Sequence, residues 1–226
     1  MLKKLFQDIL LYKKDFLQNV NSGNDFEKKI EWYLEKILFL RKISTTKFNQ
    51  SNKKELKKII QNKLDIEHKI PNTHWQHLSG WFISQPFWTQ SYPDFIIFTD
   101  KYIYVLEIKF SNSDNSRPMW NSGFPLTNWI YIFWWKVQQD ITFFLGKDVL
   151  SNEERAIMIH FFEELKLLET QVNNQLAKYN KHKAWFQVYI RKAFQQKKVS
   201  NDTEMSFFNN TQRKKREMNV LNYVSE

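Results

Sequence analysis

The stretch Asp94-Phe95-Ile96-Ile97-Phe98-Thr99-Asp100-Lys101-Tyr102-Ile103-Tyr104-Val105-Leu106-Glu107-Ile108-Lys109 reads as two strands folded about a short turn. Ile96, Ile97 and Phe98 precede Thr99-Asp100-Lys101, and an apolar run from Tyr102 to Ile108 follows. β-branched and aromatic residues of this kind suit a pleated surface. Both strands are apolar on both faces for most of their length, which places them centrally in a covered sheet. With Asp100 and Lys101 at the tip of a tight hairpin, Thr99 pairs with Tyr102 and Phe98 with Ile103. Counting outward in the same way sets Asp94 directly opposite Glu107. Opposed side chains share a face, with Cβ atoms roughly 4.5–5.5 Å apart. Lys109, two residues beyond Glu107, projects from that same face. A four-residue loop preserves this register, and a three-residue loop breaks it.

Two like charges placed opposite each other repel, and here they close an otherwise apolar hairpin. A hard divalent cation resolves the conflict, because carboxylate oxygens are its preferred ligands. Magnesium held by one or two carboxylates keeps positions open for water and a substrate phosphate. Such an ion lowers the pKa of a bound water and stabilises charge developing on a phosphoryl group. Lys109 is placed to orient or help deprotonate the attacking water, or to neutralise the phosphate.

Tyr92-Pro93-Asp94, followed by Leu106-Glu107-Ile108-Lys109 at the end of an apolar strand, resembles the signature of the PD-(D/E)xK nucleases, with both halves of the motif intact. The resemblance implies an α/β fold with a restriction-endonuclease-like core, a mixed central sheet flanked by helices, here with a helical N-terminal region. It implies that Asp94 and Glu107 ligate Mg2+, that the Ile108 carbonyl contributes, and that Lys109 is the catalytic lysine. The family often adds an acidic residue from a helix before the sheet. Glu27 and Glu31 lie one turn apart on such a helix, and Glu31 is carried as the candidate ligand. For either residue the alternative is a solvent-facing charge on an amphipathic helix.

Outward from the hairpin, the first third reads as helical. Apolar residues recur at helical spacing over residues 2–20, and again over 25–41 after Ser22-Gly23-Asn24. A third helix is expected from Asn52, with Glu55 reaching back to the cap and Leu56, Ile59, Ile60 and Leu64 on its apolar face. Pro71 ends it, and a connection with Trp75, Trp81 and Trp88 leads to the hairpin. Beyond the hairpin, residues 111–128 form a polar loop broken by Pro118, Gly123 and Pro125. Residues 129–135 and 140–145 read as strands. Ser151-Asn152-Glu153-Glu154 caps a long helix to about Tyr179, residues 185–194 alternate like a strand, and a polar tail begins at Val199. The expected organisation is one nuclease domain over 1–226: a helical part at 1–70, a catalytic sheet core at 92–195 and a polar basic tail at 199–226.

With 226 residues the chain can bury a core without disulfides, and it has no cysteine, which excludes a disulfide framework, a Cys-based zinc site and thiol catalysis. A formal charge of +10 favours a polyanionic partner, although an AT-biased coding composition would also raise lysine. The longest apolar run, residues 129–135, is too short to cross a bilayer, and no secretory core interrupts the charges near the start. A cytoplasmic protein with no membrane partner is the expectation. His68, His74 and His77 match no tight zinc spacing, and neither a phosphate-binding glycine loop nor any other nucleotide-cofactor motif occurs.

Among PD-(D/E)xK proteins, a chain with one nuclease core and no helicase looks most similar to a type II restriction endonuclease. That resemblance implies sequence-specific cleavage of double-stranded DNA by a homodimer, with the helix after Ser151 as a possible dimer face or a cover for the sheet. Asn112, Asn115, Arg117 and Asn121, in the loop leaving the catalytic strand, are the candidate base-reading residues, with ordinary loop positions as the alternative. Arg213-Lys214-Lys215-Arg216 fits either phosphate contacts or a solvated tail. Two further functions stay open: a structure-specific repair or recombination nuclease, and a non-catalytic DNA-binding protein with a nuclease-like fold.

Overall fold

At the centre of a seven-stranded mixed sheet lies the hairpin of residues 94–109. The computed structural model describes residues 1–46, 48–61, 68–87, 93–114, 116–120, 123–179, 186–190 and 207–225. In chain order its elements are α1 (Leu2–Leu11), α2 (Lys13–Leu17), α3 (Gly23–Lys36), β1 (Arg41–Ile43), α4 (Gln50–Ile60), β2 (Ile70–Pro71) and β3 (Trp81–Ser84). There follow β4 (Phe95–Phe98), β5 (Tyr102–Ser111), β6 (Ile130–Trp135), β7 (Asp140–Leu145), α5 (Asn152–Lys178) and α6 (Asn210–Tyr223). The strands lie in the order β1-β3-β4-β5-β6-β7, with β2 added against the start of β5. The β1–β3 and β5–β6 pairs are parallel and the rest antiparallel.

The hairpin register is the one the sequence dictates: Phe98 faces Ile103 and Phe95 faces Leu106. Thr99 N–H donates to the Tyr102 carbonyl at 2.9 Å, so Asp100 and Lys101 form the tip. Successive residues then face opposite sides, and both sides are buried. Phe95, Ile97, Tyr104, Leu106 and Ile108 join Ile132 and Trp134 in a cluster with Phe6, Phe26, Leu34 and Val220 from the helices. Ile96, Phe98, Ile103 and Val105 join Tyr131 and Phe133 in a second cluster, with Leu56 and Ile60 of α4, Trp75, Trp120 and Trp129. Each such side chain removed from water contributes on the order of 2 kcal/mol. A lone indole N–H would weaken this core, and Trp129 avoids that by donating Nε1–H to the Ile60 carbonyl at 2.8 Å.

The helix starts obey ordinary capping chemistry. Ser22 accepts from Asp25 N–H at the head of α3, and Ser151 and Glu154 form a reciprocal capping box on α5. The third predicted helix starts earlier than expected, because Asn49 rather than Asn52 is the cap and accepts from Asn52 N–H at 2.7 Å. The first predicted helix is broken at Tyr12 into α1 and α2. Three short strands, β1, β2 and β3, were missed: β1 lies in a span expected to be helical, and β3 lies in the Trp-rich connection.

Two expectations near the C-terminal end need correction. Residues 186–190, the described part of the strand expected at 185–194, form no strand. Their backbone runs along α5, where the Asn173 amide brackets Val188 at 2.7 and 2.8 Å and Glu169 accepts from Ile190 N–H at 2.8 Å. The Asn173 amide and the Glu169 carboxylate take the place of a neighbouring strand, and Phe186 stays 91% exposed. The polar tail expected from Val199 includes α6, which docks on β7 and buries Val220, Leu221 and Val224. Its apolar residues are few and spaced among charges, so composition conceals a helix held by ion pairs. Arg213 donates to Asp140, Glu217 and the Ile141 carbonyl. The same network makes Arg213 a structural residue rather than a phosphate contact, while Lys214 and Lys215 are exposed.

One glycine is fixed by close approach. A Cβ on Gly146 would lie 1.9 Å from the Leu126 carbonyl oxygen, a backbone atom with no room to yield. Gly146→Ala is therefore expected to destabilise the fold by about 3 kcal/mol or more, read as a fall in the urea midpoint. An unchanged midpoint would show that the 123–129 segment is free to move away from the end of β7.

Candidate active site

β3 and β4 are antiparallel, as are β4 and β5, so the exit of β3, the entry of β4 and the second half of β5 lie at one end of the sheet. The ladder between β4 and β5 stops at Phe95 and Leu106; one step further stand Asp94 and Glu107. Asp94 closes the open ladder with its side chain: Oδ2 accepts from Ile108 N–H at 2.6 Å. Glu107 Oε1 receives Lys109 Nζ at 2.9 Å, and the ammonium lies 5.3 Å from the centroid of the Trp120 ring. The indole face favours the cation and fixes its stem. Asp94 and Glu107 are 9% and 6% exposed, values that are unusual for carboxylates. The sequence-predicted trio of Asp94, Glu107 and Lys109 is thus brought together in one buried cluster.

Gln85 extends this cluster to a third carboxylate. Its Nε2 lies 3.0 Å from Glu27 Oε2 and 3.2 Å from Asp94 Oδ1, and its N–H donates to the Asp94 carbonyl at 2.8 Å. Gln85 has φ 50°, a left-handed conformation that disfavours a residue with a Cβ. The hydrogen bonds on both sides of the residue hold it there, next to the acidic pair. Nothing local in Ser84-Gln85-Pro86 signals this role, since a residue before proline normally prefers extended backbone. Of the two acidic residues on α3, Glu27 is the one beside Asp94. Glu31 is a turn further along, hydrogen-bonded to Lys42.

Burial dominates the electrostatics. It pushes the Glu107 carboxyl up to about 8, against the pull of Lys109 and with the help of Asp94. Glu27 rises to about 7, first through burial and then through the charge of Asp94. Asp94 is also raised by burial, against the Ile108 N–H, Lys109, Glu107 and Gln85. Three neighbouring acids that all resist ionisation mark a place where positive charge would be welcome. A second observation agrees: Glu107 Oε2 is buried with no hydrogen-bond partner. Among the described residues no group of three or more His, Asp and Glu side chains is arranged to hold a metal ion. Asp94 and Glu107 supply carboxylate oxygens, the kind of donor that magnesium takes.

The predicted base-reading residues are divided. Asn112 is exposed just after β5, and Arg117 is half-buried with interactions of its own. Asn115 and Asn121, with Tyr92 of the motif, lie outside the described residues. Trp75 is 4% exposed and belongs to the core; Trp88 lies outside the described residues. His74 is near Glu55 at 3.7 Å, on the surface. No helix among the described residues is long and apolar enough to cross a membrane. Comparison of the chain with family models, with curated proteins and with solved structures finds no match. The site's own geometry must carry the functional argument.

Proposed function

We propose that this chain is a magnesium-dependent endonuclease of the PD-(D/E)xK kind, hydrolysing DNA phosphodiester bonds in the manner of a type II restriction enzyme. The observation that carries the reading is the meeting of Asp94, Glu107 and Lys109 at one sheet end, with a buried Glu107 oxygen left without a partner. Asp94, Glu107 and the Ile108 carbonyl would hold Mg2+. That ion, when bound, supplies Lewis-acid polarisation of the phosphate and a more acidic water. Lys109 is held by Glu107 and Trp120 where it can orient the attacking water and offset charge on the phosphate oxygens. Gln85 fixes the Asp94 carboxylate and links it to Glu27. The low exposure around the pair limits competing solvent and strengthens each of these interactions.

Cutting both strands at one place is simplest for a symmetric homodimer. α5 supports that arrangement, because Ile157 is 70% exposed and Phe161 and Leu168 are each more than half exposed. Within one chain, few of its residues reach the sheet.

The test is incubation of purified protein with long unmethylated duplex DNA, with and without magnesium, followed by gel electrophoresis. Discrete magnesium-dependent bands are expected, and mapping their ends gives the site and stagger. Cleavage confined to branched or flapped substrates would replace this reading with a structure-specific repair nuclease. Bound but intact DNA would replace it with a non-catalytic binding protein.

A further inference from the structure

We infer that the groove between the β1–α4 turn and the Ser84-Gln85-Pro86 turn is a seat for a nucleic-acid phosphodiester backbone, leading into the Asp94 site. The groove has a volume of about 970 Å³ and is lined by Lys42, Ser44, Thr45, Asn49, Lys53 and Gln85 among others. Among the described residues no acidic residue lines it, and the Lys42 ammonium is hydrogen-bonded to Glu31. Lysine ammonium groups, hydroxyls and side-chain amides are the donors that hold phosphate oxygens without reading sequence.

Its position follows from topology. β1 and β3 are parallel neighbours with Ile43 opposite Ile83, so both release the chain at the end where β4 begins. Gln85 is shared by the groove wall and the acidic cluster, touching Asp94 at 3.2 Å. α4 packs through Leu56 and Ile60 on the sheet face that also carries Ile96 and Val105. By strand alternation, Asp94, Glu107 and Lys109 belong to that face too. The exposed side of α4, with Lys54, Lys57, Lys58 and the single acid Glu55, lies outside the groove lining. A strand laid in the groove therefore passes Lys53 and the hydroxyls before reaching the acidic pair.

This inference rests on the nuclease reading, and its test separates the two. Binding of a fluorescein-labelled duplex of mixed sequence is measured by anisotropy in EDTA, over a series of salt concentrations, for the wild-type chain, Lys53→Glu, Lys53→Arg and Lys54→Glu. Lys54→Glu makes the same charge change one residue away, outside the groove lining. Lys53→Glu is expected to weaken binding about tenfold and to flatten the salt dependence by roughly one ion released. Lys53→Arg should bind as wild type, and Lys54→Glu should lose much less. Equal losses for Lys53→Glu and Lys54→Glu, or none for either, would overturn the groove while leaving any magnesium-dependent cleavage by the wild type intact. A wild-type chain that neither binds nor cuts DNA overturns both.

Discussion

Asp94→Asn is expected to slow magnesium-dependent strand cleavage on the order of a thousandfold, about 4 kcal/mol in the barrier. Asparagine retains an oxygen that can accept the Ile108 N–H now held at 2.6 Å, so the end of the hairpin ladder stays closed. What disappears is the negative charge needed to hold a hard cation. Lys109→Ala should produce a loss of similar size for a different reason: the ammonium between Glu107 and the Trp120 ring is gone from the reacting phosphate. Single-turnover cleavage of a mapped substrate gives the rates, and circular dichroism with thermal melting checks that each variant is folded. Wild-type rates in either variant would sink the site assignment.

The second large effect is on stability. Glu107 stands at about 8 in the folded chain against an ordinary value of 4.5, and Glu27 at about 7 against the same 4.5. Between those limits the folded state binds more protons than the unfolded chain, so stability falls as pH rises. The metal-free protein is thus expected to be most stable near the acidic end of this window and to lose melting temperature steadily up to about pH 8. Glu107→Gln removes the buried charge, and in EDTA it should melt several degrees above wild type near pH 8 with a flatter profile. Magnesium should restore the wild type at that pH and release protons on binding, because its ligands must be deprotonated. Melting curves across pH, with EDTA or magnesium, provide the check. A flat wild-type profile in EDTA would show that the carboxylates ionise freely and that no cation is needed there.

The parts legible in the sequence were those governed by short-range pattern. The run from Phe95 to Ile108 fixed a covered hairpin, and a two-residue tip left one register, from which Asp94, Glu107 and Lys109 follow as neighbours. Ser151 and Glu154 announced α5 through their spacing. What escaped depends on distant partners. β1 and β3 are only three and four residues long and become strands by lying beside each other and β4. Gln85 matters because Glu27 and Asp94 meet it from other elements. α6 reads as a basic tail until Arg213 is seen against Asp140, 73 residues away in sequence. The choice between Glu27 and Glu31 likewise turns on how α3 packs, since both lie on one helix within a single turn of each other.

The hairpin tip has a consequence for the order of events during folding. Closing a chain segment costs more entropy the longer it is, and Asp100-Lys101 is the shortest connection between paired strands in this sheet. The partners β5 and β6 are separated by a connection of 18 residues, from Asn112 to Trp129, and β1 and β3 by a longer one. Asp94 and Glu107 are therefore drawn together by the most local pairing available, while water still screens them. Their mutual repulsion grows only as Trp120 settles over the face, so the last steps of collapse, and not the first, carry the strain of the acidic pair.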